Sequence, residues 1–144
     1  MTVLYATGTM RFALSPRRQN RAMSSDTYRL LAETICLCFP STPVHRRSDR
    51  AVNPHSLPLD RNATFFEYVV VDGKRYYASR TVGWSKSSFV YVVIPGPTAI
   101  DTHGEVLEIF QFDQDFRRSG TPLWLARVRW FKAWTGERKS TWDI

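Results

Sequence analysis

Phe65-Phe66-Glu67-Tyr68-Val69-Val70-Val71-Asp72-Gly73-Lys74-Arg75-Tyr76-Tyr77-Ala78-Ser79 is the stretch whose reading decides the fold class. Its first half is almost wholly aromatic and β-branched, which suits a pleated, half-buried surface. Asp72-Gly73 then interrupts it, and Arg75 to Ser79 resumes an extended pattern. An Asp-Gly pair between two such runs predicts a hairpin, because a type I′ turn needs positive φ at both central residues.

Three more strands follow outward from this hairpin. Phe89 to Ile94 is the third, stopped by Pro95-Gly96-Pro97, since proline cannot donate to a ladder. Gly104 to Phe112 is the fourth, and Asp113 to Pro122 reads as a long exposed loop. Leu123 to Phe131 is the fifth. On it Trp124, Ala126, Val128 and Trp130 share one face, which is taken as the core. Arg127 and Arg129 share the other face with Leu123, Leu125 and Phe131. Short strands with compact turns and no interleaved long helix predict a mainly β domain, a small, partly open antiparallel barrel, with a sandwich as the alternative.

The aromatic distribution predicts where that domain begins. Residues 1–61 hold 4 of the 20 aromatic side chains and residues 62–144 hold 16, so the core is assigned to 62–144. Within 25–61, Ser24-Ser25-Asp26 supplies capping side chains. Tyr28, Leu31, Ile35 and Cys38 then recur at helical spacing up to Phe39-Pro40. This predicts one short N-terminal helix over 26–38. Residues 40–61, with four prolines and Arg46, Arg47 and Arg50, read as a linker. Residues 1–24 lack clear periodicity and read as a poorly ordered tail. No apolar run reaches transmembrane length and no signal-peptide pattern opens the chain, so an intracellular, soluble protein is expected.

The strands "GEVLEIFQFDQDF" and "LWLARVRWFKAW" resemble the central strands of bromo-adjacent homology domains, through Gly104, Glu105, Val106, Leu107, Ile109, Val128, Arg129, Trp130 and Phe131. A longer stretch, from about Thr27 to Ile144, resembles the non-catalytic C-terminal region of fungal Kyakuja–Dileera–Zisupton-type transposase proteins. "GKRYYASRTVGWSKSS", "IPGP" and "VRWFKAWTGER" carry that resemblance. It implies a transposon-derived accessory module that works in the nucleus on DNA or chromatin proteins, without the upstream catalytic carboxylates of the family. The chain stops at Ile144, inside the family's last segment, which is expected of a remnant or of a gene carrying the accessory module alone. The bromo-adjacent resemblance implies protein binding, and an aromatic cage for methylated lysine would draw on Trp84, Tyr91 and Trp134.

Catalytic chemistry finds little purchase in these residues. Asp101, Glu105, Glu108, Asp113 and Asp115 are close in sequence. A two-metal nuclease needs carboxylates converging on ions roughly 3.5–4 Å apart. In a regular strand Glu105 and Glu108 point to opposite faces, and Asp113 and Asp115 fall in a loop. A surviving metal-dependent nuclease or transposase activity is the rival reading, and a relic without function the third. Cys36-x-Cys38 with His45 and His55 has one intervening residue where zinc knuckles need two to four, so both cysteines read as buried and inert. Ser79, Ser85, Ser87 and Ser88 lie near no base, His103 reads as a turn residue, and no glycine-rich phosphate loop occurs. Asn62-Ala63-Thr64 fits the glycosylation pattern but lacks a secretory signal. No enzyme, metal, cofactor or small-molecule substrate is expected.

Binding remains. The net charge of +7 favours phosphate backbones through counterion release. Candidate contacts are Arg46, Arg47 and Arg50 in the linker, Lys74, Arg75, Arg80 and Lys86 around the hairpin, and Arg127 and Arg129 on the fifth strand. Arg17, Arg18 and Arg21 add charge to the tail, and Trp84 and Tyr77 are candidate stacking surfaces for bases. The plainer reading of all these cations is a solubilising surface.

Overall fold

The computed structural model describes residues 2–5, 12–50, 53–82, 89–94, 100–118 and 120–131. They form, in chain order, β1 (Thr2–Tyr5), β2 (Phe12–Leu14), β3 (Arg18–Ala22), α1 (Ser25–Cys38), β4 (Val44–Arg46), β5 (Leu57–Leu59), β6 (Asn62–Phe66), β7 (Tyr68–Val71), β8 (Lys74–Tyr77), α2 (Ser79–Val82), β9 (Phe89–Ile94), β10 (Ile100–Phe112) and β11 (Leu123–Trp130). The protein is mainly β, and its two larger sheets are antiparallel and partly open.

β10 is the axis of the fold. One side of it pairs with β11, which in turn carries β1. The other side is shared, its first half pairing with β9 and its second half with β6, beyond which lies β3. A second sheet runs β2-β7-β8, and β4 and β5 make a small parallel pair. β3–β6 and β2–β7 are one two-stranded ribbon bent between the sheets. Between Leu14↔Val69 and Arg18↔Phe66 one strand carries three residues and the other two, which is a β-bulge. Buried Ser15 satisfies the bend. Its hydroxyl accepts from the Glu67 and Tyr68 amides at 3.0 and 3.4 Å and donates to the Arg17 carbonyl at 3.2 Å.

The β7–β8 hairpin turns through Asp72 (φ 48°) and Gly73 (φ 81°), the positive pair that a type I′ turn requires. α1 begins where the capping residues place it, with the Ser24 hydroxyl accepting from the Thr27 amide at 3.2 Å. It ends before Pro40, with the Phe39 amide closing on the Ile35 carbonyl.

The central sheet is covered on both faces. Tyr28, Leu30, Leu31 and Ile35 of α1 pack on Ala63, Phe65, Phe110, Phe112, Leu123 and Leu125. Fully burying each such side chain stabilises the fold by roughly 1.5–3 kcal/mol. On the reverse face Phe66, Val106 and Ile109 pack with Ala78, Leu14, Val69 and Val90.

Two boundaries read from the sequence are corrected by this packing. The described residues of 1–24, which are 2–5 and 12–24, are not a tail outside the β unit: β1 pairs with β11, β2 with β7, β3 with β6, and Met23 is buried. The described residues of 40–61, which are 40–50 and 53–61, are not a loose linker. β4 and β5 lie there, Val44 and Leu59 enter the core, and the Tyr28 hydroxyl donates to the Leu59 carbonyl (2.5 Å) while accepting from the Arg47 amide (3.1 Å). Helix, linker region and barrel strands share one core.

The face assignment of the fifth strand is also corrected. Leu123, Leu125 and Arg127 are buried beneath α1, while Trp124, Ala126 and Trp130 are half-buried on the reverse face with buried Val128. Both faces of β11 are covered, because α1 supplies the lid that alternation along a strand cannot reveal.

Candidate nucleic-acid interface

A bulge in β10 sets the charge layout of the central sheet. Val106 pairs with Val128 and Glu108 with Arg127, leaving Leu107 as the extra residue. Glu105 faces Arg129 and Glu108 faces Arg127, and Arg127 and Arg129 are two positions apart on β11. The two glutamates therefore share a face, contrary to the expectation for a regular strand.

Each glutamate is neutralised in place. Glu108, 3% exposed, accepts from the Thr27 hydroxyl at 2.5 Å and lies 3.6 Å from Arg127 and 3.7 Å from Arg21. Thr27 in turn accepts from Arg127 at 2.8 Å and from Ser24 at 3.0 Å. Arg21 reaches Glu108 across the Phe65 ring, its guanidinium 3.6 Å from the ring centre. Glu105 pairs with Arg129. A buried carboxylate with cations on two sides and a hydroxyl donor is a structural charge cluster. Asp113 accepts from Thr64 and Gln111, and Asp115 caps the Gly120 amide. Among the described residues no group of three or more His, Cys, Asp or Glu side chains could hold a metal ion.

These ion pairs sort the nominated cations. Arg127 is 1% exposed, so it is a core residue and not a surface contact. Arg129 is committed to Glu105. Arg46 is committed to Asp49, which accepts from the Arg46 amide and from both Nε and Nη2 of its guanidinium. Those bonds, the backbone one foremost, hold the Asp49 carboxyl below its ordinary range. Arg17 and Arg21 pair with Glu67 and Glu108. Arg18, Arg47, Arg50, Lys74, Arg75 and Arg80 make no ion pair among the described residues. Trp84, Lys86 and Trp134 lie outside the described residues, and so does the side chain of Tyr91. Arg47 and Arg50 sit on the connection between β4 and β5. Beside it a groove of about 300 Å³ is lined by Arg29, Glu33, Cys36, His45, Arg46 and Asp49, whose arginines already hold its carboxylates.

Of the nominated cations, Lys74 and Arg75 make no ion pair among the described residues and lie against aromatic rings. Tyr68 faces Tyr77 and Val70 faces Arg75 across the hairpin, so Tyr68, Val70, Arg75 and Tyr77 share one face. The Arg75 guanidinium lies 4.3 Å from the Tyr68 ring centre and donates to the Tyr77 hydroxyl at 3.2 Å. That bond and the two neighbouring tyrosines hold Arg75 in its charged form more firmly than usual. On the other face the Lys74 ammonium lies 5.3 Å from the Tyr76 ring centre. Fixed cation–aromatic couples of this kind recognise phosphate by charge and bases by stacking.

Sequence reasoning missed two further exposed features. Cys36 and Cys38 are both exposed, not buried. Phe89 and Phe131 stack on one another 6.0 Å apart while 59% and 45% exposed. Among the described residues no helix is long and apolar enough to cross a membrane.

The arrangement defines a mainly β module with a cation–aromatic hairpin on its surface. Comparison with protein-family models, with characterised proteins and with solved structures finds no match to this chain.

Proposed function

We propose that this chain is a non-catalytic accessory module, derived from a transposase, that binds nucleic acid through the β7–β8 hairpin and works in the nucleus. The observation that carries the reading is the Arg75 couple: a guanidinium without an ion-pair partner among the described residues, stacked on Tyr68 and tied to Tyr77, with Lys74 beside it. The transposase resemblance of residues 27–144 supplies the origin in this reading and the basic net charge supplies the attraction. The test is a mobility-shift titration with short DNA and RNA fragments at low and at high salt. Binding at low salt that weakens with salt, and that falls about tenfold or more in a Lys74→Ala/Arg75→Ala double variant, supports the reading. No shift at low salt overturns it.

A second reading, contact with a protein partner, rests on the exposed Phe89–Phe131 pair. Paired exposed rings are the kind of apolar surface a protein interface covers. Nuclear-extract pull-down with the parent chain and a Phe89→Ser/Phe131→Ser variant separates the two readings, because the hairpin is intact in both.

A further inference from the structure

We infer that the hairpin takes single-stranded nucleic acid and discriminates against duplex, stacking one unpaired base on the outer face of Arg75. This rests on the nucleic-acid reading above.

The geometry of β8 carries the inference. β8 is the outer strand of its sheet, whose order is β2-β7-β8. Lys74 and Arg75 are adjacent on it, so their side chains leave on opposite faces. Each cation has its own ring on its own face: Arg75 with Tyr68 and Tyr77, Lys74 with Tyr76. A stiff duplex laid on one face meets one of these cations and turns its back on the other. A flexible single strand can pass over the β8 edge and meet both.

The chemistry of the Arg75 couple points the same way. One side of the guanidinium lies on the Tyr68 ring, and the hydrogen bond to Tyr77 fixes its orientation. Arg75 is itself exposed, so part of the guanidinium surface away from the Tyr68 ring is open to a ligand, with the Tyr77 ring centre 5.9 Å away. A flat cation held open on one side is a platform for a nucleobase, as guanidinium planes are in single-strand recognition. Within a duplex both faces of each base, except at the two end pairs, are already covered by its neighbours. The sugar is not read by this contact, so DNA and RNA single strands share the required chemistry.

The experiment is fluorescence anisotropy with the full chain and five probes. These are a 12-nucleotide deoxythymidine strand, its uridine counterpart, an abasic deoxyribose-phosphate strand of equal length, a blunt DNA duplex and a blunt RNA duplex. The inference expects at least one of the two base-bearing single strands to bind about tenfold or more tightly than the abasic strand and than its own duplex, since base–aromatic stacking is sequence-tolerant. Whichever sugar binds better satisfies it. An Arg75→Lys variant keeps the charge and loses the plane, and it should lose that advantage while binding the abasic strand as the parent does. With two phosphate contacts, the salt dependence of log K should have a slope of about −1.4. An abasic strand that binds as well as the base-bearing one overturns the stacking inference. A duplex that binds as well as the single strand overturns the discrimination. Either result leaves nucleic-acid binding standing, whereas failure of all five probes removes the parent reading as well.

Discussion

Replacing Arg127 by alanine tests the buried charge cluster directly. The guanidinium is 1% exposed, donates to Thr27 at 2.8 Å and lies 3.6 Å from Glu108, which is 3% exposed. Without it Glu108 keeps the Thr27 hydroxyl and Arg21 at 3.7 Å, and it loses its buried countercharge. Removing one partner of a buried pair costs about 3–5 kcal/mol, since the other is left uncompensated. Arg21 remains within reach, so the lower end, about 3 kcal/mol, is expected here. With a urea slope of about 2 kcal/mol/M for a small domain, the midpoint should fall by roughly 1.5 M. Arg29→Ala is the control: that side chain and its partner Glu33 are 45% and 56% exposed, and its loss should cost under about 1 kcal/mol. An Arg127→Met/Glu108→Leu double variant should recover most of the loss, because an apolar pair needs no countercharge. Equal effects for Arg127→Ala and Arg29→Ala would refute the reasoning.

Three further outcomes follow from local geometry. A Cβ on Gly104 would lie 2.8 Å from Trp130 Cε3 and 3.1 Å from the Arg129 carbonyl oxygen, with Val128 closer still. Gly104→Ala should therefore cost about 1–3 kcal/mol, read as a fall in thermal midpoint, and an unchanged midpoint would disprove the close packing. Ser15→Ala removes the buried acceptor of two amides at the ribbon bend and should cost about 1–3 kcal/mol, with amide exchange at Glu67 and Tyr68 accelerated; unaltered exchange there would count against it. The Asp49 carboxyl should titrate below 3.8, seen in its ¹³C shift. Because its folded value is depressed, its stabilising contribution is complete above about 3.8 and is lost as the pH falls through the lower folded midpoint; a midpoint at or above 3.8 contradicts the Arg46 contacts.

The parts of the fold legible in the sequence are those with strong local signals. Asp72-Gly73 announces the hairpin, and Ser24 with Pro40 brackets α1, because turn and cap preferences depend on neighbouring residues alone. β3 was hidden for the opposite reason. Arg-Gln-Asn-Arg-Ala has no apolar alternation, since it is an edge strand whose side chains lie mostly in water. β11 misled because Arg127 marks that face as solvated, and only the bulge at Leu107 brings Glu108 opposite it. Of the candidate interface, Lys74, Arg75 and Tyr77 were readable as charge and ring. Which other arginines were already spent on Glu67, Glu105 and Glu108 depends on long-range pairing that no local pattern encodes, whereas Arg46 and Asp49 are only three residues apart.

The pairing of β1 with β11, Thr2 against Val128, has a consequence for how the chain is made. Synthesis at about 5–20 residues per second releases β1 on the order of ten seconds before its partner exists. Through that interval the first strand is an open template while β11 is still inside the ribosome. Closing so long a loop also sets a slow rate for the last step. The β2–β7 and β3–β6 ribbon and α1 can assemble earlier, on the growing chain. A nascent-chain force or protease-protection profile should accordingly rise twice, once after β7 emerges and again after β11.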